Sequence, residues 1–124
     1  MAGRYAESDG KHRKIWEVAR LWQLAETLEP ITIPLEEIVG LDQVTWFSES
    51  QRPTTRAIAE HARRIMAADS SYPPILTEDR RVFDGMHRIA KALMTGQQTI
   101  VVKQFLVNPA PDQIEEISPS GTDT

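Results

Sequence analysis

The chain has 124 residues, 40% hydrophobic and 26% charged, with a net charge of −4 and no cysteine. That length suits one domain with a real core. The missing thiols exclude cysteine nucleophiles, disulfides and zinc–thiolate centres, and the acidic balance argues against coating of duplex nucleic acid by the whole surface.

Residues 1–11 are polar and are expected to be a flexible N-terminus, without the apolar segment of a signal peptide. No run is apolar enough for a membrane span, so a cytoplasmic protein with no membrane partner is expected. From Lys14 to Leu28, the stripe Ile15, Val18, Trp22 and Ala25 repeats at helical spacing, which predicts an N-terminal helix ended by Glu29-Pro30. Ile31 and Ile33 mark a short strand, with Pro34 suited to an edge or a strand end. Residues 40–53 read as a loop with Trp46-Phe47 at its centre.

A second helix follows, capped by Thr54 or Thr55, with Ile58, Ala62, Ile65 and Met66 as its apolar face. Pro74–Thr77 and Arg81–Phe83 read as two short strands around a turn at Glu78-Asp79-Arg80. Met86, Ile89, Ala90 and Leu93 give a third helix, with Gly96 at its end, and TIVVKQFLV gives a last strand. Residues 108–124, rich in Pro, Ser and acids, are expected to be a disordered tail. The predicted fold is α/β (α+β): a small mixed sheet with packed helices in a single domain over 12–107, plus the extra N-terminal helix.

The chemistry concentrates in Asp84-Gly85-Met86-His87-Arg88. A strand runs through a glycine into a helix whose first N–H groups are free to meet an anion. His87 and Arg88 stand at the positive end of the helix dipole, where a lone exposed cation costs roughly 0.3–1 kcal/mol. A phosphate held between them and the helix end would reverse that cost, with arginine gripping it in bidentate fashion. The alternative is that Asp84 caps the turn and pairs with Arg88. Two further features are open in the same way. Trp46 and Phe47 either stack on a ligand or cover the sheet. Arg52, Thr55 and Arg56 form either a second anion-binding helix start or a self-capped, solvated one. His61, beside the apolar stripe of its helix, reads as a partly buried structural histidine.

The stretch YPPILTEDRRVFDGMHRIAKALMTGQQTIVV resembles the core of the ParB/sulfiredoxin superfamily. Pro74-Ile75-Leu76 matches the first strand of its pattern and Arg81-Val82-Phe83 the second. Asp84–Arg88 match the signature turn, Gly96 the helix end and Ile100-Val101-Val102 the closing strand. The resemblance spans roughly Ile31 to Phe105. It implies phosphate contact near Gly85 and Met86 and by His87 and Arg88, and a nucleotide ligand (ATP, ADP or CTP). Magnesium would arrive with the nucleotide and use Asp84, which is also the candidate catalytic residue. Sulfinic-acid reduction is excluded, because Met86 stands where sulfiredoxins carry cysteine. The turn also differs from the Gly-Glu-Arg-Arg of chromosome-partition proteins and is nearest to the Asp-Gly-x-His-Arg form of kinase-like members. If the protein is an enzyme, phosphoryl transfer or NTP hydrolysis is implied. The alternative is a non-catalytic partition-type accessory module that binds DNA or protein through the arginines of the middle third.

Overall fold

The computed structural model describes residues 3–117. Its elements are β1 (Arg4–Ser8), β2 (His12–Glu17), α1 (Val18–Ala25), β3 (Ile31–Pro34), a 3-10 turn (Leu35–Glu37), α2 (Thr55–Ala67), β4 (Ile75–Leu76), β5 (Val82–Asp84), α3 (Met86–Met94), β6 (Thr99–Gln104) and β7 (Gln113–Glu116). The α/β expectation holds, and the strands form two sheets. β1, β2 and β7 pair antiparallel in that order. The second sheet runs β3-β6-β4-β5, mixed because β4 lies parallel to β6 and antiparallel to β5. β3 is an edge strand, and Pro34 ends it. Among the described residues no helix is long and apolar enough to cross a membrane.

The two ends of the chain depart from expectation. Residues 4–8, expected to be flexible, are β1, and the first four residues of the expected N-terminal helix, Lys14–Glu17, belong to β2. A hairpin at Asp9-Gly10 joins them: the Asp9 carboxylate accepts from the Lys11 and His12 N–H groups at 2.8 and 2.7 Å, and Gly10 has φ 92°. The helix therefore begins only at Val18. Its start has no side-chain cap. The Glu17 N–H donates to the Asp112 carboxylate at 2.8 Å and the Val18 N–H to the Gly3 carbonyl at 3.0 Å. The tail supplies more than that carboxylate. Residues 113–116 pair with β2, the Trp16 indole N–H donates to the Pro109 carbonyl at 2.8 Å, and Arg20 pairs with Asp112 at 3.1 Å. The remainder of the expected disordered tail, 118–124, and residues 1–2 lie outside the described residues.

The second sheet is covered on both faces. Leu76 and Val102 face Ile89 and Ala92 of α3, with Ile33, Leu35 and Ile38 completing that cluster. Ile75 and Phe83 belong to the other cluster, with Leu21 and Ala25 of α1, Trp16 of β2 and Phe105. Ile75 and Leu76 thus point to opposite sides of β4, as the period of two requires. Phe83 joins the two sheets, with its ring 5.2 Å from Tyr5, 5.4 Å from Trp16 and 5.8 Å from Phe105. α2 is more peripheral: Ile65 is its one buried residue, while Ile58 and Met66 of the expected apolar face are exposed. It is tied down at its C-terminus, where Lys91 of α3 donates to the Met66 and Ala68 carbonyls at 3.0 and 2.9 Å.

A chain ended after Val107 should lose about 2–4 kcal/mol of stability, because Trp16, Glu17 and a whole edge of β2 lose their hydrogen-bond partners together. Urea unfolding of that truncation against the full chain checks it, and a dispensable tail would leave the midpoint unchanged.

Candidate functional site

The turn from β5 into α3 is built around Asp84 and Gly85. Gly85 occupies the N-cap position with φ 108° and ψ 22°, in the left-handed region. A Cβ there would lie 2.9 Å from both Cα and Cβ of Pro74 and 3.1 Å from Nη2 of Arg88. Pro74 and the folded-back Arg88 thus fill that side of Gly85, and glycine is needed there for packing and backbone conformation.

Asp84 does not cap the helix, which has no side-chain cap. Its Oδ2 accepts from the Trp22 indole N–H of α1 at 2.8 Å and from Arg88 Nη2 at 3.0 Å. Arg88 also donates from Nη1 to the Tyr72 carbonyl at 2.9 Å. The pairing alternative for Arg88 is thus the observed one. A magnesium ion at Asp84 would have to compete with a guanidinium already on the same carboxylate, so Asp84 fits a structural tie better than a metal ligand or catalytic residue.

The uncapped start of α3 opens onto a cavity of about 810 Å³. The Arg88 and Ile89 N–H groups both donate to the Gly85 carbonyl at 3.0 Å. The N–H groups of Met86 and His87 precede them, and at those positions a helix has no acceptor of its own. Around the cavity stand Arg4, Arg64, Arg81 and Arg88 against Asp69 and Asp84, four formal positive charges against two negative. Arg4 pairs with Glu17 at 3.0 Å, and Arg81 pairs with Glu7 and with Asp79. Arg64, exposed on α2, enters no ion pair among the described residues.

His87 is directed toward α2. Its Nε2 lies 3.3 Å from Nδ1 of His61, and the two rings are within 10° of parallel. Trp46 lies across both, 4.5 Å from His87 at 15° and 4.9 Å from His61 at 19°, and Phe47 meets His61 edge-on at 5.4 Å. Trp46 is thus neither sheet core nor a free stacking platform; it is half-buried against two imidazoles and forms part of the cavity wall. Burial, then the charges of His61 and Arg64, push His87 below the ordinary histidine range.

Of the residues singled out from sequence, Asp84, Gly85, Met86, His87, Arg88 and Trp46 meet at this cavity. Arg52, Thr55 and Arg56 do not line it. Their helix start is self-capped, Thr54 Oγ1 accepting from the Ala57 N–H at 3.1 Å, and Arg52 lies 3.9 Å from Glu49. His61 and Arg64 are the residues that sequence reasoning underrates. They sit i and i+3 on α2, so one flank of that helix presents both, a spacing that could have flagged them as a pair. Comparison with protein-family models, curated proteins and solved structures gave no match.

Gly85→Ala should destabilise the fold by about 1–3 kcal/mol through positive φ and the clash with Pro74, measurable by urea unfolding. A second outcome concerns pH. The unfolded chain takes up a proton near pH 6.5 that the folded chain binds less well at His87, so this group lowers stability as pH falls from about 7 through its depressed folded-state value. The urea midpoint should therefore drop less between about pH 7 and pH 5 in His87→Gln than in the unmodified chain.

Proposed function

We propose that the cavity at the start of α3 binds the phosphate group of a nucleotide or another phosphorylated small molecule, as the resemblance to the ParB/sulfiredoxin superfamily implies. The observation that carries this is the uncapped N-terminus of α3 opening onto a cavity with an excess of arginine. Such a helix end presents N–H donors and a partial positive charge to an anion, and Arg64 adds a guanidinium not already committed to a carboxylate among the described residues. The volume suits a ligand of nucleotide size. The order β3, α2, β4, β5, α3, β6 also matches the order of elements that the resemblance anticipates over residues 31–105.

Within this proposal the roles differ from the sequence expectation. Backbone N–H groups of Met86 and His87, with Arg64, hold the phosphate, while Arg88 and Asp84 hold the turn that presents them. Phosphoryl transfer or nucleotide hydrolysis is the reaction class such a site would carry, since positioning and charge neutralisation do most of that chemistry. The partition-type DNA-binding alternative draws less support. Arg80 pairs with Glu37, Arg81 with Glu7 and Asp79, Arg88 with Asp84, and Lys91 with helix carbonyls, so half of the middle-third basic set is committed within the fold, and Arg52, Arg56, Arg63 and Arg64 are the members left exposed.

Thermal unfolding with ATP, ADP, CTP, GTP and pyrophosphate, with and without magnesium, tests this. A true ligand at a hundred times its Kd should add about 2.7 kcal/mol of stability. Arg64→Ala should weaken that ligand about tenfold, with the unliganded stability changed by less than about 0.5 kcal/mol. No stabilisation by any of these compounds would overturn the proposal. Arg88→Ala is the poorer probe, because it leaves Asp84 without its cation and should unfold the turn whatever the ligand.

A further inference from the structure

Resting on the phosphate-site reading above, we propose that His61 and His87 act as one proton-accepting unit, which takes up a single proton from solvent when a phosphate dianion enters the cavity. His61 is the positioning residue, because it does not line the cavity and acts through His87, which does.

The geometry limits the pair to one extra proton. A 3.3 Å contact between Nδ1 of His61 and Nε2 of His87 needs one nitrogen with a hydrogen and one with a lone pair. A first added proton settles on an outer nitrogen and leaves that contact intact. A second would set two N–H groups against each other at the same distance. Trp46 lies over both rings, so its π face is placed to favour a single positive charge shared beneath it, while the ring shuts out water from that side.

The surroundings oppose protonation until an anion arrives. From α2, Arg64 lines the same cavity as His87 and adds a positive charge there. The loop contributes Trp46, which carries no charge. On the turn itself Asp84 and Arg88 neutralise each other. Across the cavity Arg4 and Arg81 are paired with carboxylates, and Asp69 accepts hydrogen bonds from the Ser71 N–H and hydroxyl. Those hydrogen bonds keep the Asp69 carboxyl below the usual carboxylate range, so its charge does not change over the pH range that matters for histidine. A dianion at the start of α3 therefore brings the negative charge that the His87 side of the cavity lacks, and one proton on the imidazole pair balances part of it.

The test uses sulfate as the probe, because it keeps its two charges over the whole range of histidine titration. The imidazole signals of the full-length protein are followed by NMR from about pH 5 to pH 8 at constant ionic strength. Saturating sulfate should raise the titration of His87 by about one unit, equivalent to tenfold tighter binding at the acid end than at the alkaline end. His61→Asn keeps a polar partner for His87 but cannot take a proton. It should move the His87 titration upward before sulfate is added and reduce the further shift that sulfate causes. His87→Gln, which keeps a polar atom near the position of Nε2, should bind sulfate with an affinity that no longer depends on pH. If sulfate perturbs the Met86 and His87 amides but leaves both histidine titrations unmoved, the proton-coupling proposal is overturned and the phosphate site stands. If His61→Asn weakens sulfate by the same factor at every pH, His61 is a packing residue only and the proposal is again overturned. If neither sulfate nor pyrophosphate binds at any pH, both readings fall together.

Discussion

One carboxylate oxygen, Oδ2 of Asp84, holds the two halves of this structure in register. It accepts from the Trp22 indole on one side of the sheet and from the Arg88 guanidinium on the other, at 2.8 and 3.0 Å. Hydrogen bonds to a charged acceptor are the stronger kind, and partial shielding of this pair from solvent raises the cost of losing either donor. The tie fixes where α3 begins relative to β5 and α1. Everything at the cavity follows from that placement: the free N–H groups of Met86 and His87, the aim of His87 toward α2, and the return of Arg88 to the Tyr72 carbonyl.

Two basic side chains at the positive end of a helix look unfavourable in isolation. The structure resolves the conflict separately for each. Arg88 is neutralised within its own turn by Asp84, so its charge is hardly felt at the helix end. His87 is half-buried beside another imidazole and an arginine, which holds it toward its uncharged form. The positive end of the dipole is therefore left available, and Arg64 arrives from a different helix to reinforce it. Packing at Gly85 serves the same end. Pro74 closes the space next to the glycine, so the turn has one conformation rather than several.

Much of the middle of the fold is legible in the sequence because its signals are local. Met86, Ile89, Ala90 and Leu93 repeat at helical spacing, Thr54 caps α2, and the Glu78-Asp79-Arg80 turn separates two short apolar runs. The ends resist such reading because their structure depends on partners far away in the chain. Ile15 and Trp16 fit a helical stripe as well as a strand, and only pairing with β1 and β7 decides for the strand. Asp9-Gly10 is a readable hairpin signal; the acid-rich stretch that becomes β7 carries none of comparable strength. At the site, the turn residues stand out by composition, whereas His61 looks like an ordinary flank of a helix.

Residue type and short-range spacing are enough to dictate an α/β domain, the strand–glycine–helix turn at residues 84–88 and the absence of thiol chemistry. Which of those residues face a ligand and which hold the frame depends instead on the assembled fold. Asp84 and Arg88 become a half-buried tie because Trp22 and Tyr72, distant in sequence, supply their remaining partners. Trp46, His61 and His87 become one stacked unit because a loop and two helices converge there, a juxtaposition that no local pattern encodes.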